Sequence, residues 1–501
     1  MTRLVSASVA LGVIAVVLVG AGTIVAGPAV AQDGPNNDTA PADPESDVIG
    51  WEHGYWYNET IDIDQTDGLT PAEREHVLAR TMARVEHLRG LEFTANTSME
   101  FVSRDGVERY VDRNVTQLRG DNPTWEALFV VGEDTDARRA VRGTILASVG
   151  GMAAEEGVDH VVLVTSDPDR PKVSEYVLAH ELVHVLQDQH FDLSAPRYQR
   201  TTLDGELAKD GLVEGEASLV DGRYRRQCAS GEWDCLTGGL APPAGDITPA
   251  IARLMGVPYQ AGATYVQALR DRGGWDAVSE THQSPPRTMK SVIHPERNVE
   301  STASIESEDR SGPAWQPTGT DQRIGAVGIR LLFEQQNRTR DVAMPVPNAS
   351  FSGGYASVPA DGWENDTLRA YTNGSHAGYV WETTWDTESD AREFGTAYRR
   401  VLASYDATRV GADRYVIPSG PYADAFAVVT DGSNVTVLNA PEKAALPEID
   451  QSFEPIVSEG GATTPSKTGV TTTSGPGFGS APGIASLLVI AVITRVRRVD
   501  Q

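Results

Sequence analysis

The sequence predicts an α+β protein, in which a mixed sheet carries an active-site helix and a smaller C-terminal α+β domain follows. Three observations predict it. A strand-like run, Val158–Thr165, is broken by Ser166–Pro171 and followed directly by a helical segment within Lys172–His190. After a polar, proline-containing connection, Asp192–Leu203, a second helix is expected over Glu206–Arg226. Beyond a Ser/Gly/Pro-rich linker at 304–321, residues 322–452 alternate helical segments with strands and a hairpin.

The chain has 501 residues, 40% of them apolar and 7% aromatic, enough for a sizeable core. Its charge is lopsided: 42 basic residues face 70 acidic ones, for a net −28. Only five basic residues are lysines, Lys172, Lys209, Lys290, Lys443 and Lys467. Such a surface stays soluble where salt screens charge, and resembles proteins of halophilic organisms. It argues against a nucleic-acid partner, since it could not neutralise a run of phosphates.

Residues 1–31 join a basic start at Arg3, an apolar run (Val9–Ala26) and Ala29-Val30-Ala31, the layout of a secretory signal peptide. Residues 32–48 read as a disordered lead-in. Thr70-Pro71-Ala72-Glu73 reads as a capping box that opens a helix running to about Leu88. Strands are expected between Leu91 and about Val115, and helical or mixed segments at Thr124–Val131 and Arg138–Gly150. The strand before the motif helix carries His160, which reads as facing solvent or a neighbouring side chain rather than serving catalysis, and the strand is expected at the sheet edge, where an extended substrate could pair with it.

The chemistry is concentrated in His180-Glu181-Leu182-Val183-His184. Apolar residues at Val173, Val177, Leu178, Leu182, Val185 and Leu186 make its setting an amphipathic helix. Residues four apart on a helix project from one face, so His180 and His184 can grip one Zn²⁺. Glu181 between them is suited to act as general base toward a metal-activated water. Such a site needs a third protein ligand, and the second helix offers Asp204, Glu206, Glu214, Glu216 and Asp221. Spacing alone does not choose among them. Cys228 and Cys235, in CASGEWDC, are expected to form a disulfide in an exported chain.

HELVH followed by Val213-Glu214-Gly215-Glu216-Ala217-Ser218 resembles the gluzincin clan of zinc metallopeptidases, which place HExxH on one helix and a ligand Glu on the next. The resemblance implies a zincin-like domain over 49–303, with His180, His184 and Glu214 as metal ligands and Glu181 as the catalytic residue. Glu216, Ala217 and Ser218 depart from the Trp-Ser-Asp that follows Glu-Gly in fungalysin-like members, which leaves the supporting carboxylate open between Glu216 and Asp221. The wider pattern, including YQAGATYVQALRDRGGW and PPRTMKSVIHPER, also resembles haloarchaeal cell-surface proteins.

A helix is expected over Pro258–Arg272, ended by Gly273-Gly274. Tyr224, Tyr259, Tyr265, His282 and His294 are the candidates to stabilise an oxyanion. In the last domain, helices are expected at Ile324–Gln335 and Asp390–Ser404. Strands are expected at Tyr379–Trp385, Arg414–Ile417, Ala425–Thr430 and Val435–Asn439. A Thr/Ser/Pro/Gly-rich linker (453–475) leads to 476–501, where Pro476-Gly477-Phe478, an apolar stretch and Arg495–Arg498 resemble an archaeal C-terminal sorting signal. That resemblance implies a sortase that exchanges the tail for a lipid anchor. Nine Asn-x-Ser/Thr sequons, at Asn37, Asn58, Asn96, Asn114, Asn337, Asn348, Asn365, Asn373 and Asn434, are expected on surface loops.

The expected protein is thus an exported zinc metallopeptidase, held at the outer face of the cytoplasmic membrane and acting on a peptide or protein substrate. The alternative is a non-catalytic cell-surface glycoprotein with a structural or vestigial metal site.

Overall fold

The computed structural model describes residues 42–114, 121–153, 160–296, 305, 307–340 and 359–453. The expected signal peptide (1–31), most of the lead-in, the linker beyond 453 and the sorting segment (476–501) lie outside the described residues, as do Asn37 and Asn348. Among the described residues, no helix is long and apolar enough to cross a membrane.

The fold is α+β, with three sheets among the described residues. A small hairpin, β1 (Trp51–Glu52) and β2 (Tyr55–Trp56), precedes α1 (Pro71–Arg89). The capping box forms: Thr70 Oγ1 accepts from the Glu73 amide at 3.3 Å, and the Glu73 carboxylate accepts from the Thr70 amide at 2.8 Å. Gly90, at φ 76°, ends α1 in the left-handed region. After β3 (Ser98–Val102) comes α2 (Glu108–Asn114), where strand had been expected. Val107 and Val111 explain the difference. They are four apart, and both are fully buried, which a helix-like turn achieves and an alternating strand does not. Helices α3 (Asn122–Ala127) and α4 (Ala137–Ser148) are capped by Asp121 and Asp136.

β4 (Gly151–Ala153) and β5 (His160–Val164) complete a three-stranded sheet of order β3-β5-β4, with β5 parallel to β3 and antiparallel to β4. The strand before the motif is therefore central, and β4 is the edge beside the motif helix, which corrects the sequence expectation. Val161–Val164 explain why: four consecutive apolar residues, all buried, need cover on both faces.

The motif helix α5 (Glu175–Phe191) packs on α6 (Leu203–Ser230). Cys228 and Cys235 are disulfide-bonded, with 5.8 Å between their Cα atoms, and close the loop that leaves α6. Next come α7 (Pro249–Met255), α8 (Val257–Thr281) and α9 (Met289–Ile293). Gly273 and Gly274 break the helical backbone of α8, but a further helical segment continues to Thr281, so they make a kink rather than an end.

Helices α6 and α8 approach unusually closely, because glycines meet at their crossing. A Cβ on Gly215 would lie 2.3 Å from the Gly262 carbonyl carbon, and one on Gly262 would lie 2.2 Å from the Gly211 oxygen. Both contacts are with backbone, so neither helix can make room by rotating a side chain.

The second sheet is seven-stranded and antiparallel throughout. Its strands are β6 (Gln316–Gln322), β7 (Trp363–Thr372), β8 (Ala377–Trp385), β9 (Thr408–Gly411), β10 (Arg414–Val416), β11 (Ala425–Asp431) and β12 (Asn434–Ala440). The order is β6-β7-β8-β12-β11-β10-β9. α10 (Gly325–Thr339), α11 (Glu388–Ser404) and α12 (Leu446–Ile449) accompany it. Residues 316–321, read as linker, are in fact its edge strand. Leu207 and Leu212 of α6 share one hydrophobic cluster with Val327 of α10 and Trp381 of β8, so one core runs across the expected linker. Asn365, a sequon residue, is buried on β7, where a glycan has no room.

The glycine seam yields a prediction. Gly262→Ala should destabilise the protein by about 1–3 kcal/mol, the usual cost of overpacking a tight contact. The shift in denaturant midpoint at fixed salt measures it.

Candidate metal centre

His180 and His184 lie one turn apart on α5, and Glu214 faces them from the middle of α6. The Nε2 atoms of both histidines are 3.2 Å from the same Glu214 oxygen, Oε2. All three residues are buried, at 1%, 1% and 3% exposure. Of the carboxylates the second helix offered, Glu214 is the one placed between the two imidazoles, and one atom from each of the three lies within 4.8 Å of the others.

The opposite ring nitrogens are held by other groups. His180 Nδ1 is 3.2 Å from Asp221 Oδ2, on the same face of α6, two turns beyond Glu214. His184 Nδ1 is 2.9 Å from Gln187 Oε1, which can only accept in that pairing. These contacts put the imidazole protons on Nδ1 and leave both Nε2 lone pairs for a metal. Gln187 is itself fixed, donating through Nε2 to Val213 O at 3.0 Å and to Glu216 Oε2 at 2.8 Å.

Glu216 is therefore a supporting residue rather than a ligand. Its carboxylate pairs with the Arg89 guanidinium from α1 and with His282 Nε2 at 2.6 Å. His282 Nδ1 in turn meets Tyr198 Oη at 2.8 Å. Burial pushes the Glu216 carboxyl up, but the Arg89 and His282 charges outweigh it and hold it well below the usual range. The remaining carboxylates lie elsewhere. Asp204 accepts from the Met289 amide at 3.0 Å, and Glu206 pairs with Lys209 at 2.6 Å.

Glu181 is fully buried, and neither of its carboxylate oxygens has a hydrogen-bond partner. Gly151 on β4 leaves it room: a Cβ there would lie 3.0 Å from Glu181 Oε1. Burial raises the Glu181 carboxyl to about 7, against the opposing pull of the two histidines. For Glu214, burial pushes upward, but His184 and then His180 bring the carboxyl down to about 2. For His180, burial pushes downward, and hydrogen bonds to Asp221 and Glu214 outweigh it, giving about 10.

The donor set fits a zinc ion. Two nitrogens and a carboxylate oxygen converge, and two buried polar atoms beside them, Glu181 Oε1 and Glu181 Oε2, lack hydrogen-bond partners. Orphaned polar atoms in a protein interior are costly unless another species satisfies them.

Of the oxyanion candidates, Tyr259 on α8 is the one set against the histidines. Its ring stacks on His180, with centroids 5.7 Å apart and planes 17° apart. Tyr224 is engaged by Glu175 and Arg84, His282 by Glu216, and His294 by Glu296, while Tyr265 packs into the core. The support that the sequence did not reveal comes from Gln187, Arg89 and Tyr198. Gln187 falls three residues after His184, a helical spacing that could have signalled a contact with it.

Two predictions follow from these contacts. Asp221→Asn should weaken zinc binding by about 10- to 100-fold, read by competition with a chelator. In the metal-free protein, His180 has a raised value, so its stabilising contribution is complete below about 6.5 and is lost as pH rises toward about 10. Glu214 has a depressed value, so its contribution is complete above about 4.5 and is lost as pH falls toward about 2. Chelator-treated protein should therefore melt highest between these limits, and His180→Gln should flatten the alkaline limb of melting temperature against pH.

A family model described as a domain of unknown function (DUF8575) matches residues 316–450, the span of the seven-stranded sheet with α10, α11 and α12. No curated protein and no solved structure matches the chain.

Proposed function

We propose that the protein is a zinc-dependent metallopeptidase of gluzincin type, exported and anchored at the cell surface. The observation that carries the reading is the Glu181 carboxylate, fully buried and without a hydrogen-bond partner beside the converging atoms of His180, His184 and Glu214. A group so placed is costly to fold around and suited to proton transfer near neutral pH.

His180, His184 and Glu214 would hold the ion. When bound, zinc supplies Lewis acidity to a water molecule and to the scissile carbonyl. Glu181 accepts a proton as the water attacks, and returns it to the departing amine. Asp221 and Gln187 keep the imidazoles in the tautomer that leaves Nε2 free. Tyr259, whose ring stacks on His180, is the candidate donor to a developing oxyanion.

Burial of the ligands also suits the second reading, a structural ion in a non-catalytic surface glycoprotein. A structural ion has no use for Glu181, and that separates the two.

Glu181→Gln should abolish peptide hydrolysis while zinc content, by elemental analysis, stays stoichiometric. Retained hydrolysis by that variant would rule out the peptidase mechanism, and absence of metal from the wild type would rule out the peptidase reading and leave a surface glycoprotein with a vestigial site. Tyr259→Phe should lower kcat by about 10²–10³ with little change in KM, the mark of a donor engaged mainly in the transition state.

A further inference from the structure

A cavity whose lining includes none of the candidate metal ligands lies at the start of α6. It has a volume of about 540 Å³ and opens between the α6 N-terminus and the 284–291 segment. Three arginines line it, Arg200, Arg287 and Arg323, together with hydroxyl-bearing residues such as Thr201 and Ser284. Among the described residues, no carboxylate lines it. In a chain with 70 acidic and 42 basic residues, three guanidinium groups around one cavity are against the trend.

None of the three arginines forms an ion pair among the described residues, although Arg323 feels the buried carboxylates of Asp204 and Asp366. Arg200 is 6% exposed. Its terminal nitrogens are spent on carbonyls: Nη1 donates to Arg197 O and Gln199 O at 2.7 and 3.0 Å, and Nη2 to Pro285 O and Pro286 O at 3.0 and 2.9 Å. Its Nε has no partner. Arg323 also has a buried Nε without a partner. The carboxylates that Arg200 feels, Glu206 and Asp210, are instead paired with Lys209 at 2.6 and 2.8 Å. Burial first, and then the neighbouring Arg287 charge, pull the Arg200 guanidinium below its usual value. Carbonyl dipoles hold a guanidinium in place but do not neutralise it, so a buried cation in this setting is short of a negative charge.

We infer that this cavity binds an oxyanion, a phosphate or sulfate group, through Arg200, Arg287 and Arg323. Arg287 and Arg323 can offer guanidinium nitrogens to such oxygens, Arg200 adds its one unspent donor, Nε, and the hydroxyl groups add neutral donors. The cavity is in the size range of small-molecule sites, which favours an anionic group carried by an organic ester over a bare ion. The inference is independent of the metallopeptidase reading.

The test is calorimetric titration of the purified protein, metal-free and zinc-loaded, at constant ionic strength. Inorganic phosphate, inorganic sulfate and glucose 6-phosphate are the probes. Saturable one-to-one binding is expected, weakened by at least about tenfold in Arg287→Gln or Arg323→Gln, the loss of one charge-assisted hydrogen bond. Arg287 is exposed, so its variant carries little folding burden even where Arg200→Ala fails to fold. Tighter binding of the ester identifies an organic ligand, and equal or tighter binding of the inorganic ions identifies a free anion. No saturable binding of any probe, or undiminished binding in both variants, would overturn the site. Binding by metal-free protein keeps this result separate from any failure of the zinc reading.

Discussion

The structure depends on burying charged groups that would be prohibitive if left unpaired. Glu175, Glu214 and Glu216 are buried, on the helices that carry the candidate metal ligands. Each is matched. Glu214 has the two imidazoles, and Glu216 has Arg89 and His282. Glu175, at the first position of α5, has Arg80 at 2.7 Å and Arg84 at 3.0 Å, besides the Tyr224 hydroxyl and the Leu236 amide. Three of the cations, Arg80, Arg84 and Arg89, come from α1. That helix therefore fixes the start of α5 through Glu175 and the middle of α6 through Glu216. Removing one partner from such a pair leaves an uncompensated buried charge, a loss of about 3–5 kcal/mol. The positions of α5 and α6 are thus set by electrostatics as much as by the apolar cluster around them.

The same network accounts for the rigidity of the candidate centre. His184 is held by Gln187, Gln187 by Glu216, and Glu216 by groups from α1 and the end of α8. His180 is held by Asp221 from α6. No link in either chain lies on an exposed loop. The glycine contact between α6 and α8 adds a steric constraint. Tyr259 is three residues before Gly262, so the distance between these two helices fixes how close the phenol comes to His180. A site built this way needs little reorganisation to work, and tolerates little change in the backbone that supports it.

The sequence announced some of this and hid the rest. Periodicity and capping chemistry are local, so α1, α5 and α6 could be placed to within a few residues from Thr70-Pro71-Ala72-Glu73 and the spacing of Val177, Leu178, Leu182 and Val185. The α2 helix was missed because its apolar period is carried by only two valines and was outweighed by the alternating residues before it. β7 was missed although Asp361-Gly362 precedes it and Asn373-Gly374 joins it to β8, because Glu364, Asn365 and Asp366 at its start are residues poorly represented in strands. Spacing left five carboxylates open as the third ligand, the resemblance of the Glu-Gly segment pointed to Glu214, and the packing of α5 on α6 puts Glu214 rather than Asp204 against the histidines. Arg89 and Tyr198 were invisible for a deeper reason. They reach the centre through long-range contacts, across 127 residues in the pairing of Arg89 with Glu216, and no spacing rule encodes such a contact.

The seven-stranded sheet matters to the candidate centre because of how it meets α6. The Asp204 amide, in the first turn of α6, donates to Arg323 O at 2.9 Å, just ahead of α10. Asp204 also occupies the space beside Gly325, where a Cβ would fall 2.3 Å from Oδ1 and φ is 76°. On the other side of that turn, Asp366 of β7 accepts from the Ile324 and Gly325 amides at 2.8 Å each and from the indoles of Trp363 and Trp381 at 3.0 Å. The turn that begins α10 is thus clasped between a carboxylate of the metal-centre helix and a carboxylate of the sheet. Asp204, attractive as a metal ligand from the sequence alone, is spent on this junction, and its carboxyl is raised to about 7 by burial there. The residues that match the family model are therefore bound to the helix that presents Glu214, and a change in the sheet would be felt first at the α6 N-terminus, where the arginine-lined cavity lies.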